Sequence, residues 1–409
     1  MKILQLGVDE EFGEIKMKAK TAYIMSDPIA QQLAKRHKGA VQRFEIFEPH
    51  YKPYMGQNLD KKKIAIWRTG GFGDLLFITP IVEYFKRKYP TCKVSVATSE
   101  RFKDVWRNNP NIDKIASSFS LPIRLDFVKK HDYVGIFEGT IENFKGEDQF
   151  CAIDAFSFNL GIFDMPLELK RPRYYLQTGE INAAKNKVRS ATGFNIYQSP
   201  YICFQWKSSS LLRDYPYEKL VAAMYRLQQR TGYKIVILTH PNYRNLIEHE
   251  VGMAMKHVIG GGATLDYINL AGVTAYRESA AVLALSAGLV GIDSSLAHLA
   301  AALGVPSVTI YGPFKAEWRT VYNQNNISLQ HQNVCPSAPC AYHTKPGDQD
   351  GLPYDLCTSK NMFPQYGRDK FCRVMESVTI DEIEESFMKL LEIQKNGELP
   401  VEREFKCKL

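Results

Sequence analysis

Three short runs in this 409-residue chain place acidic, basic and hydroxyl side chains where an apolar strand gives way to a helix. The first is Gly70-Gly71-Phe72-Gly73-Asp74, between KKIAIWR and LLFITPIVEYFKRKY. Glycines there let a backbone approach a ligand closely, and the helix start favours negative charge. Asp74 on its own would read as a helix N-cap. A dinucleotide-binding turn is the obvious rival, but Leu76 stands where the third glycine belongs. No well-placed acidic residue ends the next strand, KVSVATS, so ribose recognition is missing too.

The second run, Ser208-Ser209-Ser210-Leu211-Leu212-Arg213-Asp214-Tyr215-Pro216, follows the strand YICFQW. Hydroxyls with one arginine suit a diphosphate, because the guanidinium offers a two-pronged donor with a fixed charge. Alone, such a loop reads as a solvated turn. The third run is Asp293-Ser294-Ser295-Leu296-Ala297-His298-Leu299-Ala300-Ala301, where a buried strand passes straight into an alanine-rich helix. The N–H groups of Ser294, Ser295 and Leu296 would point outward from its first turn and hold an anion. His298 lies in the same turn, close enough to touch a bound phosphate or to hold the loop.

The elements that carry these runs alternate strand and helix. KKIAIWR, KVSVATS, DKIASS and YVGIFEG read as strands, with LLFITPIVEYFKRKY and RFKDVWRNNP as helices. A second series runs from YICFQW to SVTIYG, read as the last strand. This alternation implies α/β architecture: two Rossmann-like, doubly wound parallel sheets with a cleft between them, where ligands bind at the carboxyl ends of strands. The expected divisions are an N-terminal extension over 1–58, an N-terminal Rossmann-like domain over 59–190 and a C-terminal Rossmann-like domain over 191–330. A cysteine-bearing insertion over 331–375 and a C-terminal helix and tail over 376–409 complete the chain. In the extension, KTAYIMSD and RFEIFE read as strands flanking a helix over Pro28–Lys38. The charged, proline-bearing stretch 165–199 serves as the connection, and Ile380, Ile383, Phe387, Leu390 and Leu391 form the buried stripe of the last helix.

Together the three runs resemble glycosyltransferase family 9, the bacterial lipopolysaccharide heptosyltransferases. The resemblance rests on Arg68-x-Gly70-x-x-Gly73-Asp74, on Thr79-Pro80, on the loop Ser208 to Pro216 and on Asp293-Ser294-Ser295-x-x-His298-x-Ala300-Ala301. It continues through Gly304-Val305-Pro306 and Tyr311-Gly312-Pro313. It implies a GT-B fold and inverting, metal-independent transfer of a sugar from a nucleoside diphosphate, with ADP-heptose as the default donor. The default acceptor is a hydroxyl of a lipopolysaccharide-core saccharide. Asp74 would be the base. Ser208, Ser209, Arg213, Ser294, Ser295, Leu296 and His298 would bind the diphosphate, and Asp293 the donor sugar. Arg68, Gly71, Phe72 and Gly73 would form the acceptor-side loop. Ser295 stands where the family carries glycine. The N-terminal extension and the cysteine insertion are not core features of the family, and both point to an unusual acceptor.

The formal net charge of +8 fits solubility alone or an anionic partner. A sugar acceptor on a hydroxylated base of DNA is therefore an alternative, as is a sugar-nucleotide-binding module without turnover. No apolar run is long enough to span a bilayer, and MKILQLGVDEEFGEIK carries acids where a signal peptide would be apolar. The expectation is a cytoplasmic protein with peripheral contact at the inner membrane face. Cys335, Cys340, Cys357 and Cys372 allow a structural zinc site, unpaired thiols or disulfides, without the CxxC pair of a zinc ribbon. Asp348-Gln349-Asp350 sits in a Gly/Pro loop and reads as a solvated turn rather than a metal motif.

Overall fold

The computed structural model describes the backbone of residues 2–5, 10–12, 15–17, 22–25 and 45–47, and residues 52–117, 126–138, 140, 150–260, 262–340 and 371–399. The chain divides into two compact units: Met1–Gly70 with Phe85–Lys103 and Asn111–Glu138, and Gly71–Tyr84 with Asp104–Pro110 and Gly139–Leu409.

The first unit holds a four-stranded parallel sheet of β6 (Lys63–Trp67), β7 (Lys93–Thr98), β8 (Lys114–Ser117) and β9 (Tyr133–Ile136), in the order β8-β7-β6-β9. In β6 and β7 every residue after the leading lysine is buried, as a strand covered on both faces requires. Residues from Lys52 onward already belong to this layer. The Tyr54 amide donates to the Val134 carbonyl at 2.9 Å, and the Tyr54 ring meets Phe85 edge-on at 5.1 Å. Upstream, β1 (Lys2–Gln5) pairs antiparallel with β4 (Ala22–Met25) and β5 (Glu45–Phe47), and β2 (Glu10–Phe12) pairs with β3 (Ile15–Met17). The two expected strands of the extension are present; the helix expected over Pro28–Lys38 lies outside the described residues. RFKDVWRNNP, expected as an α-helix, forms only a 3-10 turn over Glu100–Val105. Six residues ahead of a left-handed Asn108 (φ 63°) and a proline leave little room for i→i+4 bonding.

The helix Phe72–Lys88 links the two units along the chain. Pro80 inside it cannot donate to the Leu76 carbonyl. The Thr79 hydroxyl donates there instead at 2.7 Å, and its oxygen accepts from the Arg173 amide at 2.8 Å. The Thr-Pro pair thus repairs its own helix.

The second unit is built on six parallel strands: β10 (Tyr201–Gln205), β11 (Lys234–Leu238), β12 (Tyr267–Asn269), β13 (Gly288–Ile292), β14 (Ser307–Ile310) and β15 (Asn326–Leu329). Their order is β12-β11-β10-β13-β14-β15, the doubly wound 3-2-1-4-5-6 arrangement. β15 goes beyond the expected last strand; its short, half-polar sequence NISL carries no strand period by itself. The helices Tyr217–Thr231 and Tyr276–Leu285 bury apolar stripes, and glycines in left-handed conformation close Thr178–Thr192, Tyr217–Thr231 and Ser295–Leu303. The stretch 165–199, expected as a connection, contributes the helix Thr178–Thr192 to this unit. The C-terminal helix Ile380–Lys395 opens with a Thr379/Glu382 capping box and buries Ile383, Phe387, Leu390 and Leu391. Phe387 packs so close to β13 that a Cβ at Gly288 would lie 2.9 Å from its ring.

Candidate active site

In a sheet of this order, ligands bind where neighbouring strands lead their connections to opposite sides, here between β10 and β13. The two loops singled out in the sequence leave the sheet at those two strands. Their side chains meet. Arg213, buried, donates from Nη1 to the Asp293 carbonyl at 2.8 Å and from Nη2 to the Ser209 hydroxyl at 2.9 Å. Nη1 also lies 3.5 Å from Asp293 Oδ2, and His298 Nε2 lies 3.5 Å from Oδ1. Burial works against the Asp293 charge, but His298 and Arg213, with Arg319 adding to them, hold its carboxyl well below the usual carboxylate range. Oδ1 of Asp293 nevertheless has no hydrogen bond among the described residues.

The β13 turn is prepared for an anion. Ser294, fully extended at φ −162°, caps the helix Ser295–Leu303 by accepting from the Leu296 amide at 3.4 Å. Gln205, at the end of β10, donates to the Ser294 hydroxyl and so ties the two loops together. Ser295 and Leu296 stay half-exposed at the helix start, where amides lack intrahelical partners. Ser208 is used differently. Its hydroxyl donates to the Ser210 carbonyl at 2.5 Å and accepts from the Ser210 amide at 2.9 Å, so it shapes the loop that presents Ser209 and Arg213.

The glycine turn reaches the same place. Gly71 has φ +78°, and a Cβ there would lie 2.1 Å from Asp74 Oδ2, so the carboxylate rests over a residue that must be glycine. A Cβ at Gly73 would lie 2.6 Å from Cδ2 of His298, and the Phe77 ring sits 4.7 Å from the His298 ring. Half-buried Asp74 therefore stands one residue from a glycine in contact with the histidine that faces Asp293. Phe72, expected on the acceptor side, is buried and stacks on Tyr276 at 3.7 Å between ring centroids. Arg68 belongs to the first unit, where it donates to the Phe137 carbonyl at 2.6 Å and to the Gly70 carbonyl at 3.0 Å, spanning the ends of β6 and β9.

Two groups at the site escaped the sequence reading. Lys207 is half-buried and pairs with buried Asp214, donates to the Tyr217 hydroxyl at 2.9 Å and lies over the Tyr217 and Tyr243 rings. Burial alone would lower its pKa; Asp214 and Tyr217 more than offset that, and it stays charged. Arg277 grips Glu180 with Nε and Nη2 at 2.5 and 2.7 Å, donates to the carbonyls of Asp104 and Tyr175, and lies 5.0 Å above Tyr174. Lys207 stood beside the serine run as a visible signal; nothing local marked Arg277. Of the cysteine set, Cys335 is buried and Cys340 and Cys372 are half-buried, while Cys357 and Asp348 to Asp350 lie outside the described residues. Among the described residues no cluster of metal-ligating side chains occurs.

Residues 150–345 match the model of glycosyltransferase family 9 (heptosyltransferase). Over that stretch the chain is similar to family 9 glycosyltransferases. The stretch contains the Ser208 and Asp293 loops, whereas the Asp74 turn precedes it. Lipopolysaccharide heptosyltransferase 1 of Pseudomonas aeruginosa is 34% identical over 97 residues, 23% of this chain and 25% of that protein. The chain thus matches about a quarter of that relative's length. A glycosyltransferase family 9 structure from Veillonella parvula superposes with a TM-score of 0.62 at 18% identity, covering 82% of this chain and 99% of its own. ADP-heptose lps heptosyltransferase II of E. coli superposes with a TM-score of 0.59 at 14% identity, with the same coverage. At such identities the likeness is one of fold. No helix among the described residues is long and apolar enough to cross a membrane.

Proposed function

We propose that the protein transfers a sugar from a nucleoside-diphosphate donor to a saccharide hydroxyl with inversion, using Asp74 as general base. The observation that carries this reading is the contact of Gly73 with His298, which sets the Asp74 turn beside the Asp293 turn. The acceptor oxygen bonds to the anomeric carbon as the carbon–oxygen bond to the diphosphate breaks, through an oxocarbenium-like state. The acceptor proton passes to Asp74, and the electron pair leaves with the diphosphate. Arg213 and the start of the helix Ser295–Leu303 stabilise the charge growing there, with Ser209 positioning the guanidinium. Asp293 holds donor-sugar hydroxyls, and His298 keeps its carboxylate in place. No step in this scheme needs a metal.

ADP-heptose is the donor of choice, because the E. coli neighbour is named for it and the curated relative is a lipopolysaccharide heptosyltransferase. A lipopolysaccharide-core saccharide follows as acceptor class, and the protein works in the cytoplasm. The test is a mass-spectrometric screen of the purified chain against ADP-, UDP-, GDP- and dTDP-sugars, with and without chelator. Turnover confined to ADP-sugars and indifferent to chelation supports the reading. Binding without turnover of any donor would reduce the protein to a sugar-nucleotide-binding module, and turnover abolished by chelation would remove the metal-free scheme.

A further inference from the structure

Three helices have their first residues in the second unit within a few residues of one aromatic pair. Phe72 is the first residue of Phe72–Lys88, Tyr276 the first of Tyr276–Leu285, and Ser295 the first of Ser295–Leu303. The Phe72 and Tyr276 rings stack at 3.7 Å with planes 27° apart. Tyr174 flanks the pair at 6.2 Å from Phe72, and the Arg277 guanidinium closes over Tyr174. Arg277 is itself fixed by both oxygens of Glu180 and by the Asp104 and Tyr175 carbonyls. Phe72 is thus seated on a braced wall. The Tyr276 hydroxyl, fully buried, lies beside the Ser295 side chain and makes no hydrogen bond of good geometry among the described residues.

Helix geometry makes this seat matter for chemistry. Asp74 is two residues beyond Phe72 on the first turn, so a fixed Phe72 ring holds the backbone from which the Asp74 side chain extends. Gly73, between them, is in contact with His298. Without the stack, the Phe72 end of that first turn loses its aromatic partner, and glycines on both sides of Phe72 leave the backbone there free to move. A base displaced by about 1 Å loses on the order of a hundredfold in rate.

We propose that the Phe72–Tyr276 stack is the positioning device of the reaction, locking the Asp74 turn to the start of the Tyr276–Leu285 helix although neither ring touches a reacting atom. This rests on the reading of Asp74 as base. It also assigns Phe72 a purpose other than acceptor contact.

The test is a double-mutant cycle on the full chain, with the ADP-sugar that the parent turns over and with ADP alone as binding probe. Phe72→Ala and Tyr276→Ala should each lower kcat by about thirtyfold or more, and ADP affinity should change by less than about threefold, because Arg213 and the Asp293 turn are untouched. The double variant should cost little more than either single change, as expected for two halves of one contact. Phe72→Tyr and Tyr276→Phe keep the stacked rings and should restore kcat to within about threefold of the parent; recovery by these conservative changes separates positioning from failure to fold. Multiplying effects in the double variant, or a Phe72→Ala enzyme with parental kcat, would overturn the inference. So would a Phe72→Ala enzyme whose acceptor KM alone rises, since that is the mark of substrate contact. A parent that turns over no donor at all overturns the base assignment as well, and so is distinguished from failure of the stack alone.

Discussion

The β10 loop and the β13 turn both face the switch point of the same sheet, yet they satisfy their polar groups in opposite ways. In the β10 loop most partners are internal, Lys207 with Asp214, Ser208 with Ser210 and Arg213 with Ser209, leaving Arg213 Nε without a hydrogen bond among the described residues. In the β13 turn the Asp293 carboxylate keeps Oδ1 buried without a hydrogen bond among the described residues, and the helix start keeps half-exposed residues at its head. A loop closed on itself is stable and holds a shape. A turn with groups left over has capacity for a ligand, since a buried polar atom without a partner costs about 1–3 kcal/mol. Arg213 is the exception that joins the two regions, because its guanidinium bridges from one to the other.

That contrast can be broken by comparing rate with stability across the two loops. The largest effect on rate is expected at Arg213: Arg213→Ala should lower kcat/KM by about 10²–10³-fold, read from initial rates. Lys207→Met should act mainly on stability. It leaves Asp214 buried and unpaired, at a cost of about 3–5 kcal/mol in chemical denaturation, while ADP affinity moves by less than about threefold. Ser208→Ala should cost about 1 kcal/mol of stability and at most about threefold in rate. If Ser208→Ala lost as much rate as Arg213→Ala, Ser208 would touch the diphosphate, and the division between the loops would fail.

The smallest effect concerns pH. Asp293 has its pKa lowered on folding, so its stabilising contribution is present above the unfolded value near 3.9 and is lost as pH falls below it. The stability advantage of the parent over Asp293→Asn should therefore be level from about pH 8 to 5 and shrink below about pH 4. An advantage already shrinking at pH 6 would mean that the carboxylate is not held by its cationic neighbours.

Much of this was legible because strand and helix periods and glycine turns are local signals. KKIAIWR, YICFQW and the buried strand ahead of Asp293 were apparent, and the runs after the last two carry the side chains that meet at Asp293. The seat of Phe72 was not apparent. A phenylalanine between glycines looks like a loop residue open to an acceptor, and its partner Tyr276 lies about 200 residues away, with no local pattern linking the two. Arg277 and Glu180 are hidden for the same reason, since a bidentate ion pair between distant helices leaves no mark on either sequence. β15 was missed because NISL gains its strand only from pairing with β14.

The central claim is that Asp74 takes the acceptor proton, and one paired measurement bears on it most directly: kcat and ADP affinity of Asp74→Asn beside the parent enzyme. The account predicts a kcat lower by about 10²–10⁴-fold with ADP affinity unchanged to within about twofold, because the donor loops do not use this carboxylate. An Asp74→Asn enzyme that transfers sugar at the parental rate would contradict it.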